Sequence, residues 1–376
     1  MWLKGSPLRL STERIKRILL IQLGDIGDVV VSLPCVRALK DNFPDAQVVV
    51  AVRAKARELI DICPWADEVI SIDQHRLRMT DAIRYQIAFF RRLRAFRFDL
   101  VLDLRAGTRG AVLAYLSGAA IRVGFYSTKE PLWRDWAFTH LKPFMPDPNR
   151  HQSVYYQSLL TECGINILHP FPEIVVSEKL SQEAIQFLIR HKVDLDKPIV
   201  AVHPFALWRY KEWPIERTTQ LVQFLSQERD RTVLILGASS ERTRAQSITD
   251  RCNRKVVNLA GQTGLGILAA VVQKCALLIG MDSALGHISA AVGTPAVTIF
   301  GPGKPGVWAP LGERSRIVHR DLPCIYCGQK GCDGTGRSRC LEELSVEQVL
   351  SAIAEHTDGS MATIRVDRRR APGAGR

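Results

Sequence analysis

The sequence has no long hydrophobic run. No stretch reaches the ~18 uninterrupted apolar residues that span a bilayer, and even 265–281 is broken by Gln273 and Lys274. The run Ile18-Leu19-Leu20-Ile21 leads straight into Gly24-Asp25, which makes it too short for a secretory leader and reads as a strand. Acidic residues are in short supply: 38 Asp and Glu against 51 Lys and Arg leave a net charge of +13. That excludes an acidic, solvating chain and favours an anionic partner: nucleic acid, anionic lipid, phosphorylated sugar or nucleotide. A nucleic-acid recognition module is also missing, so nucleic acid is not expected. The nine cysteines are odd in number, and Cys35, Cys63, Cys163, Cys252 and Cys275 are scattered through element-like segments. A disulfide framework is thereby excluded in favour of reduced, buried thiols, as expected of a cytoplasmic protein.

What is present is an ordinary globular balance, 46% hydrophobic and 24% charged, over 376 residues. That length suits two domains of ~170 residues, each able to bury a core without metal or disulfide. Unbroken aliphatic runs predict strands buried on both faces near 17–23, 47–52, 67–72, 98–104, 198–203, 231–237, 255–259, 276–280 and 296–300. Between them, helix-period stretches fall near 28–42, 53–62, 79–96, 153–163, 179–192, 214–229, 239–252 and 282–292. Alternation in both halves predicts an α/β protein of two doubly wound domains, with ligands at the carboxyl ends of the strands in a cleft between the lobes. The domains are expected over 1–170 and 198–357, joined by a linker region at 171–197 and followed by a disordered basic tail at 358–376.

Several turns at predicted strand ends could carry chemistry. The first strand leads into Gly24-Asp25-Ile26-Gly27-Asp28. A dinucleotide fingerprint is excluded because its third glycine is missing and Asp28 would repel an anion. A carboxylate there can take a proton from a bound hydroxyl, or Asp25 or Asp28 can cap the helix that follows. Lys211, after the strand ending at His203-Pro204, is placed to neutralise a phosphate, or it belongs to a solvated basic loop. Gly280-Met281-Asp282-Ser283-Ala284-Leu285-Gly286-His287 turns from strand into helix. The amides of Ser283, Ala284 and Leu285 can then bind a diphosphate. His287 can donate to it or pack as an ordinary core histidine, and Asp282 can act as an N-cap. Glu241 stands in a third such turn, where it suits a helix dipole or two ribose hydroxyls.

Together these residues resemble glycosyltransferase family 9, the lipopolysaccharide heptosyltransferases. The resemblance rests on Gly27-Asp28 with Leu33-Pro34, on Asp282-Ser-Ala-Leu-Gly-His287, and on Ala290-Ala-Val-Gly-Thr-Pro295 with Phe300-Gly301-Pro302. It implies a GT-B fold of two Rossmann-like domains, with the acceptor on the first and the nucleotide sugar on the second. The implied reaction is inverting transfer of a heptose from an ADP-activated donor to a lipopolysaccharide core or similar anionic glycolipid, with no cofactor required for catalysis. Asp28 matches the general base, Lys211 the phosphate lysine and Glu241 the ribose contact. Asp282, Ser283, Ala284, Leu285 and His287 match the donor loop. Gln22 stands where members often carry Arg or Lys, which leaves the acceptor side one cation short. The same fold could instead serve another nucleotide-sugar donor, or a non-catalytic sugar-nucleotide or glycolipid-binding protein.

Two features lie outside that chemistry. The stretch 75–98 interleaves Arg76, Arg78, Arg84, Arg91, Arg92, Arg94 and Arg97 with apolar residues. It predicts either a basic amphipathic helix for peripheral contact with the cytoplasmic face of the inner membrane or a packed helix with a solvated arginine face. Cys324, Cys327, Cys332 and Cys340 form a CxxC-x4-C-x7-C array. It could hold a structural zinc, or remain reduced or partly disulfide-linked thiols.

Overall fold

The computed structural model describes residues 4, 8, 10, 11, 13–72, 79–143, 147, 149–227, 230–252 and 256–357. The tail expected at 358–376 lies outside the described residues, as do Arg76 and Arg78. The chain divides into two compact units, Met1–Val175 and Val176–Arg376. The helix Glu178–Arg190, capped by Ser177, opens the second unit.

The first unit holds a six-stranded sheet: β1 (Arg17–Gln22), β2 (Gln47–Arg53), β3 (Glu68–Ile72), β4 (Leu100–Asp103), β5 (Ile121–Tyr126) and β6 (His140–Pro143). All strands run parallel, in the order β3-β2-β1-β4-β5-β6. The second unit repeats the plan with β7 (Ile199–His203), β8 (Thr232–Ile235), β9 (Val256–Asn258), β10 (Leu277–Met281), β11 (Ala296–Ile299) and β12 (Ser315–Val318), in the order β12-β11-β10-β7-β8-β9. Its strands also pair in parallel. Each sheet therefore reverses its winding once, between β1 and β4 in the first unit and between β7 and β10 in the second. Adjacent loops part at such a reversal and leave room for a ligand.

Central strands read as unbroken aliphatic runs because helices cover both of their faces. Ile18 to Ile21 and Val48 to Val52 are buried throughout. The strands β5, β6 and β12 escape that reading. Arg122, Lys142 and Arg316 interrupt their apolar pattern; β6 and β12 are sheet edges that meet solvent on one side, and β5 is next to one. The helix Met79–Ala95 lies where it is predicted, but its arginine face is solvated: Arg84, Arg91, Arg92 and Arg94 are exposed. Phe89 and Phe90 pack toward the core, and Ile87 is 52% exposed.

Candidate active site

In the first unit the reversal between β1 and β4 brings together residues far apart in the chain. Asp28 lies in the first turn of the helix Ile26–Asn42 and is buried to 9% exposure. Its Oδ2 accepts the backbone N–H of Asp25 at 2.9 Å, which is a helix-capping bond. Its Oδ1 accepts the Tyr156 hydroxyl at 2.5 Å and faces Arg105 Nη1 at 2.9 Å. The capping and side-chain interactions thus use different oxygens. Gly24 has to be glycine: a Cβ there would lie 2.4 Å from Asp28 Cβ and 2.6 Å from Arg105 Nη1. Gln22, which ends β1, is buried and accepts from Gly24 N–H at 3.1 Å. The cation beside Asp28 is Arg105, just past the end of the neighbouring strand.

Arg105 stands on a buried support. Its N–H donates to Asp103 Oδ1 at 3.1 Å, and its carbonyl accepts Arg134 Nη2 at 3.3 Å. Arg134 is fully buried, donates to the Phe125 carbonyl at 2.6 Å and lies 4.0 Å from Asp103 Oδ2. Burial pushes the Asp103 carboxyl up to about 7, against the Arg105 N–H and the Arg134 and Arg105 charges. Burial likewise pushes the Tyr156 phenol well above its ordinary range, with the Asp28 charge adding to it, so the phenol stays a donor. Asp25 differs. Burial tends to raise its carboxyl, but Lys55 at 2.5 Å and the charges of Lys55, Arg53 and Arg105 outweigh that and hold it low.

The second unit uses the corresponding reversal, between β7 and β10. Lys211 Nζ meets Asp282 Oδ2 at 2.6 Å, and the Asp282 side chain is only 7% exposed. Ser283 is the N-cap of the helix Ala284–Ala291, so the amides of Ser283, Ala284 and Leu285 open at the strand end without intrahelical partners. His203 Nδ1 lies 3.1 Å from Ser283 Oγ, and burial lowers the His203 imidazole to about 4, which keeps it neutral. The loop after β11 closes over the same point: a Cβ on Gly303 would lie 2.2 Å from Asp282 Oδ2. His287, one turn into the helix, is packed at 5% exposure. Glu241 follows β8, on the far side of β7, and its Oε2 accepts Ala238 N–H at 2.7 Å. Burial raises the Glu241 carboxyl; the Ala238 N–H opposes this, the Glu212 charge adds to it, and the Arg244 and Arg209 charges oppose it.

The structure thus gathers Lys211, Asp282 and Ser283 at one strand end, with Glu241 one strand away, while Asp28 stands in the other unit. Cys324 and Cys327 are exposed, Cys332 is half-buried, Cys340 is buried, and none is in a disulfide. Among the described residues no group of three or more His, Cys, Asp or Glu is arranged to hold a metal ion. The loop has another contact: Ser338 Oγ donates to the Tyr210 carbonyl at 2.6 Å, which braces the turn that carries Lys211.

Residues 86–336 match the model of glycosyltransferase family 9 (heptosyltransferase). The chain belongs to this family. It is similar to lipopolysaccharide heptosyltransferase 3 of Escherichia coli K12, with 26% identity over 294 residues covering 76% of this chain and 83% of that protein. Among solved structures, a family 9 glycosyltransferase from Veillonella parvula superposes with a TM-score of 0.78 at 22% identity, over 91% of this chain and 97% of that one. The E. coli ADP-heptose lipopolysaccharide heptosyltransferase II superposes at 0.74 and 21%, over 90% and 98%. The fold is GT-B, and the chain is a glycosyltransferase of family 9.

Sequence reasoning missed Arg105, Tyr156, Glu212 and Arg244. Glu212 accepts Arg244 Nη2 at 2.5 Å and the Ala206 N–H at 3.3 Å, and so fixes the turn after Lys211. An Arg two residues beyond a buried strand, as Asp103-Leu104-Arg105 provides, was a usable signal for Arg105. Tyr156 carried none, because its helix enters the site from 128 residues away.

Proposed function

We propose that this family 9 glycosyltransferase moves a heptose, with inversion, from an ADP-activated donor to a lipopolysaccharide core or similar anionic glycolipid. The first unit serves the acceptor and the second the donor. The observation that carries the reading is the Lys211–Asp282 pair at the open N-terminus of the helix Ala284–Ala291. A cation and unpaired amides at one strand end are what a departing diphosphate needs. The heptose and the lipopolysaccharide acceptor come from the E. coli relative's name, and the adenine diphosphate from that of the solved E. coli neighbour.

In this reading Asp28 is the general base. The acceptor hydroxyl gives it a proton as the hydroxyl oxygen bonds to the anomeric carbon from the face opposite the leaving group. The bond from that carbon to the diphosphate oxygen breaks, and its electron pair leaves with ADP. Positioned bases contribute about 10²–10⁴-fold. Lys211 and the helix amides stabilise the charge growing on the diphosphate more than its ground state. Glu241 accepts the ribose hydroxyls.

Contact with the membrane surface follows from the acceptor's lipid. Among the described residues no helix is long and apolar enough to cross a membrane. Leu132, Trp133 and Trp136 are 77%, 45% and 76% exposed, beside Arg134 in the acceptor unit, and exposed tryptophans of this kind suit a bilayer interface.

Calorimetric titration with ADP, UDP, GDP and ADP-heptose tests the donor. Selective binding of the adenine nucleotide, tightened by the heptose, is expected. Preference for UDP or GDP would overturn the heptose assignment while leaving the family intact. For the base, Asp28→Asn is expected to abolish turnover and leave ADP affinity within a few-fold; equal loss of both would remove Asp28 from the chemistry.

A further inference from the structure

The Asp28 carboxylate is held unevenly. Oδ1 receives two donors, the Tyr156 hydroxyl at 2.5 Å and Arg105 Nη1 at 2.9 Å, whereas Oδ2 receives one, the Asp25 N–H at 2.9 Å. An ionised carboxylate offers about four lone-pair positions, two on each oxygen. Oδ1 is therefore filled, and Oδ2 has one position left. We propose that Tyr156 and Arg105 are positioning residues that clamp Oδ1, so that Oδ2 is the oxygen that takes the proton of the acceptor hydroxyl. The proposal rests on reading Asp28 as the base.

The proton balance favours Oδ2. When the acceptor proton reaches Oδ2, the carboxylate becomes a neutral acid whose Oδ1 is a carbonyl oxygen. A carbonyl oxygen still accepts both the phenol and the guanidinium, so neither donor has to move. A proton sent to Oδ1 would have to displace one of them. The clamp is also built in from below. Arg105 is fixed through its own N–H and carbonyl by Asp103 and the buried Arg134. Tyr156 is almost fully buried and its hydroxyl ends at Asp28. Gly24 leaves the space that Asp28 and Arg105 share. Reacting groups held to a fraction of an ångström gain much of their rate from that placement, and a base free to rotate about its Cβ–Cγ bond would lose it.

The full-length protein should be assayed with ADP-heptose as donor and core-truncated lipopolysaccharide as acceptor, using Tyr156→Phe, Arg105→Ala, Arg105→Lys and Asp28→Asn. Tyr156→Phe removes one oxygen and keeps the buried ring. It should lower kcat about 10–100-fold, the worth of one charge-assisted hydrogen bond, with KM for both substrates within about 3-fold. Arg105→Ala should fall at least as far. Arg105→Lys should recover part of the loss, and millimolar guanidinium should restore Arg105→Ala, whose side chain is 42% exposed, but not Asp28→Asn. The proposal is overturned if Tyr156→Phe and Arg105→Ala keep kcat within about 2-fold while Asp28→Asn is inactive; Asp28 then remains the base without a clamp. It is equally overturned if the two variants change only KM or the thermal midpoint. If Asp28→Asn turns over normally, the base assignment itself fails and the clamp with it.

Discussion

Replacing Lys211 should do more than remove one cation. Lys211 Nζ lies 2.6 Å from Asp282 Oδ2, and the Asp282 side chain is 7% exposed against 23% for Lys211. In Lys211→Ala the carboxylate stays at the strand end without its counter-ion, beside the amides that are to receive a diphosphate. Two costs follow. Losing a charge-assisted hydrogen bond to phosphate costs about 1.5–3 kcal/mol. The uncovered carboxylate then repels the diphosphate: like charges ~5 Å apart at an effective dielectric of ~20 differ by about 3 kcal/mol, which partial exposure and salt reduce to roughly 1–2 kcal/mol. ADP affinity should therefore fall by about 2.5–5 kcal/mol in Lys211→Ala. In Lys211→Ala with Asp282→Asn it should recover by about 1–2 kcal/mol, a factor of roughly 5–30. Calorimetry with ADP on the single and double variants reads both numbers. An unchanged affinity in Lys211→Ala would remove the phosphate role. A double variant no better than the single would show that Asp282 does not face the diphosphate.

Other outcomes follow from the same geometry. Gly24→Ala should abolish turnover while leaving ADP binding unchanged, because its Cβ would sit 2.4 Å from Asp28 Cβ; wild-type turnover would refute the close approach. The Asp103 carboxyl is raised to about 7 in the folded chain, from an ordinary value of 3.8. Between those values the folded state binds more protons, so this group's stabilisation is full at acid pH and is lost as pH rises toward 7, by about 4 kcal/mol at most. Thermal midpoints of wild type and Asp103→Asn measured from pH 4 to 8 should show a flatter slope in the variant; parallel slopes would refute it. Trp136→Ser should weaken binding to vesicles of anionic phospholipid, read by co-sedimentation, several-fold. Equal binding by both proteins would move the membrane contact elsewhere on the surface.

Legibility in the sequence followed burial. The strands β1, β2, β7 and β10 could be read to within a residue or so because both of their faces are covered, and an unbroken aliphatic run of that length suits little besides a doubly covered strand. The strands β5, β6 and β12 could not, since Arg122, Lys142 and Arg316 break the run at or next to the margin of the sheet. The helix Thr108–Ser117 was missed for a related reason: it begins Thr-Arg-Gly, and glycine is a poor helix former. Here Gly110 is required because a Cβ would lie 2.2 Å from Asp103 Oδ2. Tertiary fit overrode local propensity.

The site residues divide in the same way. Asp28, Lys211, Asp282 and Ser283 stand just beyond strands that were legible, and their residue types suit proton transfer or phosphate at such positions. Their partners were another matter. Tyr156 reaches Asp28 from a helix 128 residues later, and Arg244 reaches Glu212 from the helix that follows β8. Only folding makes these neighbours. The same is true of Lys211 and Asp282, each readable alone, whose direct contact changes what either can do. A lysine paired with a buried carboxylate is a pre-set cation whose charge is partly balanced before any ligand arrives. It holds its ammonium at one point, and in the proposed reading the helix amides share the charge of the diphosphate with it. If the turn 282–285 binds the diphosphate as proposed, that pairing accounts for an acidic residue beside the helix amides, a combination that looks contradictory when the sequence is read one motif at a time.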